Sequence, residues 1–175
     1  MKRLSVLVIG LSVFAVGCGS SSPSSPSQQN TTTSDTYTVT LSPANEVPPV
    51  ANADAGSSGT ATIVLTATKD DSGAVRSATM NFQISVTGLP AGTTVTKAHI
   101  HNGMPGANAG IFVDTGLSSG EMALVNGSGS IAKNGINVPP DTAAAIIRNP
   151  GAHYFNVHTV LNPDGAIRGQ LSASR

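Results

Sequence analysis

Residues 61–86, ATIVLTATKDDSGAVRSATMNFQISV, decide the fold class of this chain. Apolar residues occupy every second position over 61–67 and again over 80–86. A period of two is typical of β-strands that bury one face and expose the other. The polar segment over 69–73 ends in glycine and predicts a turn, so we expect the two strands to form an antiparallel hairpin.

Similar short segments, separated by Gly and Pro, lie on both sides of this hairpin. Asp141 is a plausible N-cap for a short helix predicted over 142–148. Eight or so short strands with one short helix predict an all-β fold, an antiparallel β-sandwich or barrel. The remaining candidate strands are 37–42, 94–101, 110–114, 121–125, 128–132, 153–161 and 166–173.

The composition excludes several other classes of protein. Only 10% of the 175 residues are charged and 3% are aromatic, and the formal net charge is zero. A coiled coil needs abundant Glu, Lys and Leu, and a chain kept disordered by charge needs a high net charge. A nucleic-acid-binding domain needs a basic surface, whereas the nine basic residues here are scattered, so we expect no nucleic-acid partner.

The N-terminal segment indicates export and attachment to a membrane. Residues 1–17 have a basic start and an apolar run over 4–16, which is typical of a secretory signal peptide. The sequence AVGC at 15–18 resembles a bacterial lipobox, although Ala stands where Leu is usual. It predicts a lipid on Cys18, the only cysteine and therefore one without an internal disulfide partner. An ordinary signal peptide with an incidental cysteine is the alternative.

Residues 18–36 then predict a lipidated cysteine followed by a flexible tether. The stretch over 19–35 is rich in Ser, Pro and Thr and contains no hydrophobic side chain, so it cannot bury enough surface to offset its ordering entropy. We expect it to hold a folded domain, residues 37–173, away from the membrane. The predicted location is the bacterial cell envelope. Gly19, rather than Asp, after the cysteine indicates the outer membrane in a Gram-negative host.

Three motifs in the predicted domain resemble signatures of CHRD domains, the module named after chordin. They are EVPPV at 46–50, AHIHNG at 98–103, and NVHT with NPDGAIRGQL within 156–171. The resemblance implies an immunoglobulin-like or superoxide-dismutase-like β-sandwich, with limited similarity to copper/zinc superoxide dismutases. No general biochemical activity is established for the family, so the resemblance indicates the fold better than the function. Ala166 stands where the family usually has Glu, so any role of that carboxylate is missing here.

His99 and His101 are the first candidate metal ligands. In a strand over 94–101, positions i and i+2 share a face, so both imidazoles project together, on the face that also carries Val95. The even-numbered residues, among them Ile100, point to the core. Two imidazoles at this spacing can bind one metal ion, because Zn–N and Cu–N bonds are about 2.0 Å long.

His158 is the candidate third ligand. In the predicted strand over 153–161, alternate residues point to opposite faces, which places His158 on the outward face and His153 on the inward face. Copper and zinc are equally suitable for imidazole ligands, so either is a possible cofactor. Asn156, Arg168 and Gln170 are candidate partners that orient the imidazoles, and the charge of Arg168 is expected to keep His158 neutral. The alternative is that these imidazoles only form hydrogen bonds with the backbone and polar side chains.

These observations predict a lipid-anchored envelope protein that displays one β-sandwich as a non-catalytic binding or structural module. Its expected partners are the membrane, through the lipid, and an envelope protein or ligand of unknown kind. The alternative function is copper or zinc binding through the three histidines, in metal handling or redox protection. A dismutase-like enzyme is disfavoured, because the loop over 102–115 carries no His and only Asp114.

Overall fold

Two antiparallel β-sheets form the protein, seen here in a computed structural model that describes residues 29–173. This part of the chain contains nine strands and one α-helix. The predicted all-β sandwich with one short helix is therefore confirmed. The elements are β1 Thr31–Leu41, β2 Ser58–Lys69, β3 Val75–Thr87, β4 Val95–His101, β5 Ile111–Asp114, β6 Gly129–Val138, α1 Pro140–Arg148, β7 Tyr154–Thr159, β8 Ile167–Gln170 and β9 Ser172–Ala173.

The larger sheet has the strand order β6-β3-β2-β1-β9, and the smaller sheet has the order β5-β4-β7-β8. The predicted hairpin is confirmed as β2 and β3, in which Ile63 lies opposite Phe82. Both side chains are at most 1% exposed. Phe82 stacks on Phe155 of the smaller sheet, with ring centroids 5.8 Å apart, so the inward faces of the two sheets share one core. Burying an aliphatic or aromatic side chain of this size stabilises the fold by roughly 1.5–3 kcal/mol.

Strand β1 begins earlier than the sequence predicts. Residues 31–36, assigned to the flexible tether, pair with β2 as part of the larger sheet, so the tether prediction is wrong for them. The hydroxyls of Ser34 and Thr66 lie 2.9 Å apart across the two strands. Such cross-strand pairs of small β-prone residues stabilise a sheet without burying apolar side chains. Gln29 and Asn30 precede the strand and are exposed. The earlier part of the predicted tether, the predicted signal peptide and the predicted lipidation site Cys18 lie outside the described residues.

Three further predictions need correction. The segment over 121–125 is not a strand, because Glu121 accepts from the Ser118 backbone N–H and pairs with Lys133, which holds a turn. The helix begins at Pro140, and Asp141 lies in its first turn without acting as the N-cap. The last predicted strand, 166–173, divides in two, and its end crosses to β1 of the other sheet. None of the described helices is long and apolar enough to span a bilayer.

Candidate metal centre

Strand β4 places His99 and His101 on the face of the smaller sheet opposite the core. Ile100 lies in the core and is fully buried, as the alternation predicts. Val95 contradicts the prediction, because it is also in the core rather than beside the histidines. The register against β7 shifts between Val95 and Lys97, and this bulge reverses the alternation at the start of the strand.

The neighbouring strand β7 brings His158 to the same face. Lys97 is the register partner of His158, and His99 is that of Asn156, so His158 and His99 lie diagonally across the two strands. The His99 Nδ1 and His158 Nε2 atoms are 3.2 Å apart. One nitrogen from each of His99, His101 and His158 lies within 4.8 Å of the other two. The structure therefore brings all three predicted ligands together in one group.

The three imidazoles are buried although they lie outside the core, with exposures of 3%, 7% and 6% for His99, His101 and His158. Loops cross over this face of the sheet and shield it. His101 and His158 border a groove of about 490 Å³, whose other walls come from three loops and Tyr154. The loop residues are Val47, Pro48, Asn108, Ala109, Pro163 and Asp164.

Two main-chain carbonyls hold the imidazoles in a defined tautomer. His101 Nδ1 donates to the Ala109 carbonyl, and His158 Nδ1 donates to the Pro163 carbonyl, each at 2.9 Å. A carbonyl oxygen only accepts, so both Nδ1 atoms carry the proton and both Nε2 atoms keep a lone pair. His101 Nε2 is buried and has no hydrogen-bond partner. Metal-binding histidines are commonly oriented in this way by their second ring nitrogen.

The group is held in the neutral form that a metal ion requires. Burial, reinforced by His158, lowers the pKa of His99 from 6.5 to about 4. Burial is also the main cause that lowers the pKa of His101 and of His158, against the opposing effect of their carbonyl partners. Arg168 was expected to act on His158, but its charge lowers the pKa of His101 instead. At neutral pH the three rings therefore offer lone pairs rather than positive charges.

The three residues predicted to orient the imidazoles have other hydrogen-bond partners. Arg168 Nε donates to the Asn45 carbonyl at 2.6 Å, and its guanidinium lies 4.4 Å from the centre of the Tyr154 ring. Tyr154 also stacks on His101, with ring centroids 4.8 Å apart. Gln170 donates to the carbonyl of Gly103 at 2.9 Å. Arg168 thus acts on His101 in two ways. Its charge lowers the pKa of His101, and it contacts the Tyr154 ring that stacks on His101.

Asn156 belongs to a second buried polar group, beside the histidines. Its side chain forms a hydrogen bond with Glu46, and Arg168 Nε lies 4.0 Å from the Glu46 carboxylate. Burial raises the pKa of Glu46 to about 7, although Arg168 and Asn156 both act to lower it. Gly165 packs against this pair, where a Cβ atom would meet Glu46 Oε2 at 2.7 Å. This group joins the loop after β1 to strands β7 and β8.

Sequence reasoning missed the main-chain carbonyls of Ala109 and Pro163, because their role depends on loop positions and not on side-chain chemistry. It also missed Tyr154 as a stacking partner, although Tyr154 has the same outward parity as His158 and could have been noticed. His153 lies apart from the group, as its parity predicts. It stacks on Phe112 at a centroid distance of 5.0 Å.

The fold and the site define an all-β sandwich with a buried three-histidine group on the outer face of its smaller sheet. The CHRD domain family matches residues 37–171, so this chain belongs to the CHRD domain family. The three sequence motifs that resemble this family contribute Glu46, the histidine pair of β4, and His158 with Arg168. No curated protein and no solved structure shows a significant similarity to the chain. The predicted likeness to copper/zinc superoxide dismutases stays a prediction.

Proposed function

We propose that this CHRD domain binds one copper or zinc ion through His99, His101 and His158. The single observation that carries the proposal is that nitrogens of all three rings lie within 4.8 Å of one another. Two nitrogens of a tetrahedral site with 2.0 Å bonds are about 3.3 Å apart. The 3.2 Å separation between His99 and His158 fits this value, and a nitrogen of His101 lies within 4.8 Å of both rings.

The chemistry of the group supports the same proposal. Imidazole nitrogens are good ligands for both copper and zinc, so the ligand type allows either metal. The lowered pKa values keep the rings neutral, and the carbonyls of Ala109 and Pro163 direct the Nε2 lone pairs of His101 and His158 away from the backbone. The proposal assigns binding, in metal handling or redox protection, and no catalytic step.

Calorimetry with Cu²⁺ and with Zn²⁺, each added to the full-length chain, tests the proposal. We expect one ion per chain and a Kd below about 0.1 mM, or roughly 5.5 kcal/mol of binding free energy. His101→Gln should weaken binding strongly, because it removes the buried lone pair that lacks a partner. His153→Gln is the matched control, since His153 is also buried but lies outside the group.

Two outcomes would contradict the metal site. One is a Kd weaker than about 0.1 mM for both ions. The other is equal binding by the His101→Gln and His153→Gln chains. Circular dichroism of each metal-free variant separates loss of a ligand from loss of the fold.

We further propose that the domain is displayed in the bacterial cell envelope by a lipid on Cys18. The support comes from the sequence, namely the signal-like run over 1–17 and the lipobox-like AVGC at 15–18. Two or more acyl chains hold a protein firmly on a membrane, whereas one gives only marginal binding. Cells fed a clickable palmitate analogue should label the wild-type chain and should not label Cys18→Ala. Label that persists in the variant, or no label at all, would contradict the anchor.

A further inference from the structure

Asp114 is an acidic residue beside the three-histidine group. It is the register partner of His99 across strands β4 and β5. Its Oδ1 atom lies 3.7 Å from His99 Nε2 and also accepts from the Gly116 backbone N–H at 2.8 Å. The side chain is 63% exposed, and the backbone contact holds its orientation. Its carboxylate is therefore directed at the ring nitrogen of His99 that faces away from His158.

The hydrogen bonds of the group determine which nitrogen of His99 carries the proton. The Nδ1–H group of His158 donates a hydrogen bond to the Pro163 carbonyl, so Nε2 of this neutral ring can only accept one. His99 Nδ1, 3.2 Å away, must then be the donor, which leaves a lone pair on His99 Nε2. In the metal-free chain this lone pair faces the Asp114 carboxylate, and two acceptors cannot form a hydrogen bond. The 3.7 Å separation agrees with that arrangement.

A metal ion reverses this proton placement. The His99 nitrogen that faces His158 is Nδ1, 3.2 Å from His158 Nε2, and it must give up its proton to bind an ion between the two rings. The proton then resides on His99 Nε2, so the ring stays neutral and no proton is lost overall. An Nε2–H group facing Asp114 is a donor opposite a charged acceptor, which is a strong pair.

We propose that Asp114 is a positioning residue of this metal site, which accepts the Nε2 proton of His99 and so favours the tautomer that binds the ion through Nδ1. This inference rests on the proposed metal binding. Carboxylate partners of metal-bound histidines fix the ring orientation and raise ligand basicity, and their loss typically weakens metal affinity 10–100-fold. The metal-free fold does not depend on this pair, because the pair forms only when the proton moves.

Zinc calorimetry on the full-length chain tests the affinity. Asp114→Ala should weaken the Kd for Zn²⁺ by about 10–100-fold, and Asp114→Glu, which keeps the carboxylate, should recover much of that loss. Asp164→Ala is the matched control. Asp164 is also an exposed acidic residue beside the group, but His158 already donates to the Pro163 carbonyl, so its loss should change the Kd little.

Nitrogen-15 NMR of the histidine rings gives a readout that a merely structural role would not change. In the wild-type chain, His99 should carry its proton on Nδ1 without metal and on Nε2 when zinc is saturating. A Zn²⁺ affinity that falls no further in Asp114→Ala than in Asp164→Ala overturns the inference, and so does a zinc-loaded His99 that stays protonated on Nδ1. In both cases zinc still binds, so the proposed function survives. Wild-type chain that fails to bind zinc or copper overturns the metal site itself.

Discussion

Acidification should destabilise the metal-free chain through the buried histidine group, and His99 allows the size of the effect to be worked out. Burial, with repulsion from His158 as the second cause, lowers its pKa from 6.5 to about 4. When the pKa of a group is lower in the folded chain than in the unfolded chain, its full contribution to stability is present at pH values above the unfolded-state pKa. That contribution is lost as the pH falls from the unfolded-state pKa toward the folded-state pKa. At about pH 5 the loss from His99 alone is roughly 2 kcal/mol, at 1.36 kcal/mol per pH unit.

The assay is urea unfolding of the metal-free chain at pH 7, 6 and 5, in the wild type and in His99→Gln. The variant has no group to titrate at this position, so its free energy of unfolding should fall by roughly 2 kcal/mol less between pH 7 and pH 5. His101 and His158 also have lowered pKa values and remain in both proteins, so part of the acid sensitivity stays. The same pH dependence in both proteins would refute the reasoning. So would an NMR titration that places the pKa of His99 at 6.5 or above.

Two other predictions concern the polar group and the sheet packing beside the site. Burial raises the pKa of Glu46 from 4.5 to about 7, so its stabilising contribution is complete below pH 4.5 and is lost as the pH rises through 7. Urea unfolding at pH 5 and pH 8 should show a decline of up to about 3 kcal/mol in the wild type, and a flatter profile in Glu46→Gln. Gly169→Ala should lower the melting temperature, since the added Cβ overlaps the Thr40 carbonyl of the other sheet and such overpacking costs about 1–3 kcal/mol. Gly56→Ala, with open space around it, is the control and should melt like the wild type.

The hairpin over 61–86 was predictable because its signal is local. Apolar residues at every second position favour a strand that buries one face, and the glycine-ended polar turn joins two such strands. The boundaries of β1 were less predictable. Residues 31–36 contain no strongly apolar side chain, and they form a strand because β2 offers a paired neighbour. A strand whose stability comes from its partner carries a weak signal in its own sequence.

The candidate site likewise has features that the local sequence predicts and features that depend on residues distant in the sequence. The alternation along β4 predicts that His99 and His101 share a face, and it fails at Val95, where a bulge against β7 shifts the register. A bulge is a property of two paired strands, so one strand's pattern does not reveal it. The burial of the imidazoles was also missed, because loops distant in sequence cover what looks like an outward face.

The sequence by itself determined the all-β class, the CHRD motifs and the paired orientation of His99 and His101, because each depends on residues a few positions apart. Only the tertiary structure decided that His158, 59 residues away from His99, reaches the same point. It alone decided which ring nitrogens are free, since the Ala109 and Pro163 carbonyls that hold the rings come from separate loops. Strand pairing and loop closure are long-range events, and the geometry of a three-ligand site exists only once both have formed.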